Sequence, residues 1–320
     1  MTQPWPAPPA DSRLTTRMRP STRRRVALRA QLGAEASAGL TALLADGPPG
    51  VLVCAQLWAM EHVPADALDR WPVIAQYHSS FEAAAAGRDL GRVLTVFRDA
   101  DVFALLTAAD ADSFGRAGMD NTAWIPNPLA VWPDEPVDAT AGRSVTYLGR
   151  LSPEKGPRFL VDAWGLVAAR HPDWRLRFVG SGPDEAAVRR RIARLPIGAD
   201  RVDVVPPVAD VGPELARAGV LALPSLTEGL PMVLAEAMAT GLACVASDCS
   251  AGVRALTDDG RVGRLVARGD AAALAGALDA LLADADERAR LGAAARAYVE
   301  QYRLPGVLDR WERLIADALR

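Results

Sequence analysis

Cysteine is scarce. Cys54, Cys244 and Cys249 are the only three, an odd number with no C-x-x-C pair. That argues against a disulfide scaffold and a zinc ribbon, and a reducing cytoplasm is the natural compartment for such a chain. Long apolar runs are absent too: none approaches the roughly 18–20 residues needed to span a bilayer. The N-terminal stretch is rich in Pro and Arg but has no apolar segment, so it does not read as a secretory signal. Neither sign of charge dominates. The 36 basic and 39 acidic residues leave a net −3, too little positive field for nucleic acid to be a bulk partner. No repeat of 20–50 residues is visible. What is present is 320 residues, 50% of them apolar and 23% charged. This length suits two domains of about 150 residues and this composition a folded chain.

Residues 1–22 hold five prolines and read as a disordered lead-in. Arg13, Arg17, Arg19, Arg23, Arg24, Arg25 and Arg29 read as a solvated helix face with a tail. The sharper alternative is a peripheral contact with the anionic inner face of a membrane through residues 13–29. A helical pattern over 23–45 ends at Asp46-Gly47-Pro48-Pro49. Short apolar strands follow at 51–54, 73–77 and 102–106, with a helix at 82–98. After the proline-rich stretch 126–142 the alternation is cleaner. Strands are predicted at 145–149, 175–180, 202–205, 220–223 and 242–246, and helices at 157–170, 184–194, 231–240, 271–283, 286–302 and 305–319. Strands alternating with helices imply parallel sheets and right-handed crossovers. The organisation read from this is 23–125 as an N-terminal Rossmann-like domain, 126–142 as a linker, 143–302 as a C-terminal Rossmann-like domain and 303–320 as a C-terminal helix packing back on the first domain.

In open α/β sheets ligands bind beyond the carboxyl ends of the strands, and three strand ends carry chemistry. The first is Gly149-Arg150-Leu151-Ser152-Pro153-Glu154-Lys155-Gly156, with two cations five residues apart on a strand-to-helix turn. Arg150 can fork two phosphate oxygens and Lys155 can add a point charge, which suits a diphosphate. The second is Gly180-Ser181-Gly182-Pro183, small enough to admit a ligand to the backbone. The third runs from Glu228-Gly229-Leu230-Pro231 to Glu236 and on to Gly241. Pro231 suits a first helical turn, so the amides of Gly229 and Leu230 lie where a helix N-terminus accepts an anion. Glu228 would sit beside that anion with cations between, and Glu236 is placed to accept from vicinal hydroxyls such as those of a ribose. The two Asp-x-Asp pairs, Asp110/Asp112 and Asp284/Asp286, read as helix caps or first-turn charges rather than metal ligands. His62 and His171 read as structural.

The order and spacing of these three turns resemble the donor-binding half of a GT-B glycosyltransferase of family 4 (group 1), over about residues 120–320. Glu228 through Glu236 matches that family's Glu-x7-Glu motif, Tyr77-His78 resembles its histidine after an N-domain strand, and Ile125-Pro126-Asn127-Pro128 resembles its interdomain turn. The resemblance implies an α/β GT-B fold of two doubly wound domains. It implies transfer of a sugar from a nucleotide-diphosphate sugar to a hydroxyl acceptor, carbohydrate or lipid-linked, with retention and without a metal or cofactor. Carried over by residue, Arg150 and Lys155 would hold the diphosphate, Glu228 and the amides of Gly229 and Leu230 the transferred sugar, and Glu236 the ribose. Gly149 and Gly182 would lie near the nucleotide, and His78 would face the reacting sugar.

The first half departs from the family pattern. No strand precedes the helix at 23–45, no Gly-Gly occurs in residues 1–50, and Gly33-Ala34-Glu35 sits inside a helical pattern. The N-terminal domain therefore reads as truncated, and its sheet as exposing an edge that invites pairing with another chain. Val205-Pro206-Pro207-Val208 stands where the family more often has a glycine after the strand. Two alternatives stay open. One is a nucleotide-sugar-binding protein or subunit that lacks transfer and is completed by a partner; the other, less favoured, is a GT-B-shaped epimerase.

Overall fold

A computed structural model describes residues 20–45, 50–87 and 89–320. Most of the lead-in, with Arg13, Arg17 and Arg19, lies outside those residues, and the side chains of Arg23, Arg24, Arg25 and Arg29 lie outside the description as well.

Two parallel sheets organise the chain. The first holds β1 (Leu52–Cys54), β2 (Val73–Gln76), β3 (Val102–Leu105) and β4 (Thr122–Trp124), in chain order. The second holds β5 (Ser144–Leu148), β6 (Arg175–Val179), β7 (Val202–Val205), β8 (Val220–Leu223), β9 (Ala243–Asp248) and β10 (Arg264–Ala267), in the order β10-β9-β8-β5-β6-β7. Because β5 pairs with β6 on one side and β8 on the other, the winding reverses there, and a crevice opens beyond the carboxyl ends of those two strands.

The apolar pattern explains why the second sheet is covered on both faces. Along β8 and β9, Val220, Ala222, Ala243 and Val245 pack on one layer with Leu160, Trp164 and Leu278. Their neighbours Leu221, Leu223, Cys244 and Ala246 pack on the opposite layer with Leu234, Met238 and Val299. Successive strand residues alternate in face, so a continuous apolar run feeds two cores at once. The first sheet is built around aromatics. Phe97 and Phe114 lie 4.9 and 5.1 Å from Phe103, and Phe81 lies 5.0 Å from Phe114.

Several boundaries differ from the sequence-based expectation. The single helix at 82–98 is two helices, Phe81–Ala86 and Leu90–Val96. The first is capped at its start by the buried Ser80 hydroxyl, which accepts from the Ala83 amide at 3.2 Å, and the Gly87 amide closes its end on the Ala83 carbonyl. Strands β4 and β10 and the helices Ala108–Arg116 and Ala251–Thr257 are additional. Those two helices are capped by Thr107 and Ser250. Asp284 caps Ala285–Val299 by accepting from the Glu287 amide at 2.9 Å. Asp110 is instead a buried tie, accepting from the Phe81 amide at 2.8 Å and the Thr107 hydroxyl at 2.6 Å. His171 bonds Asp279 at 2.8 Å, and His62 packs edge-on to Trp58 at 4.7 Å. All three cysteines are free and buried.

The chain passes between the sheets twice, through 125–143 and again at Tyr302–Arg303. The passes touch: the Leu129 amide donates to the Tyr302 carbonyl at 2.7 Å, and Leu129 and Arg303 form a parallel bridge. The C-terminal helix Leu304–Ala318 then lies against Trp124 at the end of β4. No described helix is long and apolar enough to cross a membrane.

Candidate functional site

A cavity of about 290 Å3 lies in the crevice beyond β5 and β8. Its walls include Tyr147, Gly149, Lys155, Ser225, Glu228 and Leu230. Lys155 reaches it from a single 3-10 turn, Pro153–Lys155, after β5. Glu228 reaches it from the loop between β8 and the helix Met232–Ala239. The ammonium of Lys155 donates to both carboxylate oxygens of Glu228, at 2.8 and 2.7 Å. The buried Ser225 hydroxyl donates to the same carboxylate at 2.7 Å. The Glu228 side chain is 7% exposed and that of Lys155 33%. A buried carboxylate is thus satisfied by one hydroxyl and one partly exposed cation, whose third proton is not taken by Glu228.

Sequence reasoning missed a signal here. Lys155 is the chain's single lysine; every other basic side chain of the 36 is arginine. Arginine is planar and holds a carboxylate in a fixed fork, whereas lysine is a compact charge on a flexible stem. A group that must exchange one anionic partner for another is better served by the second.

The turn bearing the cations is held from within. Tyr147 is buried, and its hydroxyl donates to the Arg150 carbonyl at 2.6 Å; burial pushes its phenol well above the ordinary value. The Leu226 amide donates to the Glu154 carbonyl at 2.8 Å, locking the β5 and β8 loops together. Cys249, buried nearby, has its thiol pushed up to about 12 by desolvation first and then by the Glu228 charge, so it stays protonated and inert.

Backbone contacts join the first sheet to this site. A Cβ on Gly229 would meet the His78 carbonyl at 2.2 Å, and one on Gly252 would meet the Gly229 carbonyl at 1.7 Å. Only glycine permits that stacking of three loops. Arg254 reinforces it, pairing with Glu82, which follows His78, and donating to Asp248 at 2.7 Å.

Of the residues singled out in the sequence, Gly149, Lys155, Glu228 and Leu230 line the cavity. Gly229 and His78 meet at its edge through their backbones. Partial desolvation lowers the pKa of the His78 ring, which favours neutral imidazole. Arg150 is exposed on the same turn, outside the cavity wall. Gly182 stacks on the Leu151 carbonyl beneath that turn. Glu236 is half-buried within Met232–Ala239, its side chain hydrogen-bonded to no protein group among the described residues, and burial raises its pKa. No group of three or more metal-type ligands occurs among the described residues.

The family profile described as Glycosyl transferases group 1 matches residues 142–284. An uncharacterized glycosyltransferase of Haemophilus influenzae is 29% identical over 240 residues, covering 75% of this chain and 67% of that protein. The alpha-maltose-1-phosphate synthase of Mycolicibacterium smegmatis is 31% identical over 279 residues, covering 81% of this chain and 70% of that enzyme. The phosphatidyl-myo-inositol mannosyltransferase of Mycobacterium leprae is 40% identical over 165 residues, but these span only 43% of its length. Among solved structures, Anabaena HepE in complex with UDP superposes with a TM-score of 0.74 at 20% identity, over 93% of this chain and 84% of that one. TarM superposes with a TM-score of 0.77 at 18% identity, over 88% and 58%. Two parallel Rossmann-like sheets, the three strand-end turns and these matches together establish that the chain belongs to the group 1 glycosyltransferases and has the GT-B fold.

Proposed function

We propose that the chain transfers a hexose from a nucleotide-diphosphate sugar to a hydroxyl of a carbohydrate or lipid-linked acceptor, with retention and without a metal. The observation that carries this is the meeting of Lys155 with Glu228 in the crevice where β5 and β8 part. Breaking a sugar–phosphate bond builds negative charge on the leaving diphosphate and oxocarbenium character on the sugar. Lys155 and Arg150 would neutralise the first, in the role otherwise given to a divalent ion. Glu228, released from Lys155, would take the sugar's hydroxyls with the Gly229 and Leu230 amides, and Glu236 would accept from the ribose. His78, neutral at pH 7, would face the sugar from the first sheet. Among the described residues no strong nucleophile stands free in the cavity, so attack from the side of the departing phosphate is favoured, which retains configuration. A mannosyltransferase and a UDP-bound protein among the similar chains support this donor class. A reducing cytoplasm suits three buried free thiols.

The test is incubation of the purified chain with UDP- and GDP-linked hexoses and simple hydroxyl acceptors, reading nucleotide release and product anomer by NMR. Release of nucleotide with a product of the donor's anomeric configuration is expected. Tight nucleotide-sugar binding with no release or transfer across the set would instead establish the transfer-inactive alternative, and an inverted product would overturn retention.

A further inference from the structure

A second cavity, of about 310 Å3, lies where the C-terminal helix meets the first sheet. It is lined by Trp124, Ile125, Arg310, Arg313, Leu314 and Asp317. Arg310 lies over the Trp124 ring at 4.3 Å, and its Nη1 is buried with no hydrogen-bond partner among the described residues. Arg310 and Arg313 form no ion pair among the described residues, whereas Asp317 is occupied by Arg320 at 2.9 Å. Most other arginines here have a carboxylate or carbonyl to hold, as Arg158 has Asp184 and Arg177 has Glu214. A buried guanidinium N–H without an acceptor is costly, and a stacked ring fixes the direction in which that guanidinium donates.

We propose that this cavity is a binding site for a phosphate ester, with Arg310 and Arg313 as its ligands. Residues three apart on a helix are neighbours on one face. Two adjacent guanidinium forks match the several oxygens of a phosphate, whereas a carboxylate satisfies only one. The location adds a second argument. Strand register sets Gln76 level with Ala104, and Ala104 level with Ala123. Tyr77 and Trp124 are therefore level, two strands apart, or about 10 Å along the carboxyl edge of the sheet. A phosphate anchored at Trp124 leaves the remainder of its molecule within reach of His78. Assigning that molecule as the acceptor rests on the transferase reading; the binding site does not.

The test follows the Trp124 indole resonance of the full chain, assigned with Trp124→Phe, during titration with glycerol 3-phosphate. In parallel, co-sedimentation compares phosphatidylcholine vesicles with and without phosphatidylglycerol. UDP affinity is measured in the same buffer. A saturable Trp124 shift with glycerol 3-phosphate, weakened about tenfold in the exposed-side variant Arg313→Met and at least as much in Arg310→Met, supports a soluble ester. Sedimentation only with phosphatidylglycerol, lost in the same variants, supports a lipid headgroup. Neither response, or unchanged affinity in Arg313→Met, overturns the site. UDP binding without either response overturns this site alone, and either response without UDP binding overturns the donor reading alone.

Discussion

Replacing Glu228 by Gln should tighten the binding of a free nucleotide diphosphate while abolishing transfer. In the resting site both oxygens of Glu228 are within 2.8 Å of the Lys155 ammonium. An anion in contact with that ammonium would lie about 5 Å from the carboxylate. Two like charges at that distance repel by ~1 kcal/mol in water and by ~3 kcal/mol at the effective dielectric constant of a protein surface. The cavity is partly open, so a value near 1.5 kcal/mol is reasonable, or roughly tenfold in affinity. Gln keeps the shape and can still accept from Ser225, so the loop should hold. Calorimetric titration of UDP, GDP and pyrophosphate at low ionic strength is the assay. Glu228→Gln should bind about tenfold tighter and Lys155→Met weaker, with both differences shrinking in high salt. A folded Glu228→Gln protein that binds diphosphate more weakly than wild type would refute the reasoning, because Glu228 would then be holding the ligand rather than competing with it.

A lysine-specific acylating reagent should modify Lys155 as the chain's single side-chain amine, and bound UDP or GDP should protect it; mass spectrometry that finds equal labelling with and without nucleotide would place Lys155 away from the diphosphate. Gly252→Ala should be strongly destabilising, by about 3 kcal/mol or more, because the contact at 1.7 Å is with backbone that cannot step aside; a thermal melt unchanged from wild type would contradict it. Glu236→Gln tests the cost of a buried carboxylate. Burial raises the folded pKa of Glu236 above 4.5, so its favourable contribution exists below that unfolded value and is lost as pH rises through the folded one. The variant should therefore melt higher than wild type at pH 7 and equally near pH 4, and a gap that widens toward low pH would show the opposite sign.

The candidate cavity was legible because its chemistry sits at strand ends, and strand ends were legible from apolar runs closed by glycine or proline. Gly149, Lys155, Glu228 and Leu230 were all found that way. The ion pair was not. Lys155 and Glu228 are 73 residues apart; sequence reading put cations between Glu228 and an anion, but did not pair Lys155 directly with that carboxylate. The singular lysine was the available clue. Strand β4 could not be read from Thr122-Ala123-Trp124, because its cause is tertiary. The Phe103 amide bonds the Asn121 carbonyl at 2.7 Å, and the Asn121 side-chain amide bonds the Ala100 carbonyl at 2.7 Å. The break in the predicted helix at 82–98 was hidden because the alanines before Gly87 and the residues from Leu90 onward both favour helix, and that propensity masks the short interruption between Ala86 and Leu90. The Arg310 cavity was invisible for a similar reason, since Trp124 and Arg310 come from opposite ends of the reading.

The double crossing of the chain has a mechanical meaning. Two covalent strands leave the first half for the second side by side, fastened to each other at Leu129 and Tyr302. Such a paired tether acts as the spine of a book. It resists twisting and sliding, and leaves one easy motion, a swing about its own line. A swing about that line would hardly disturb the stitch at Leu129, whereas any parting of the two halves has first to break the backbone contact of His78 with Gly229 and the pair of Arg254 with Glu82.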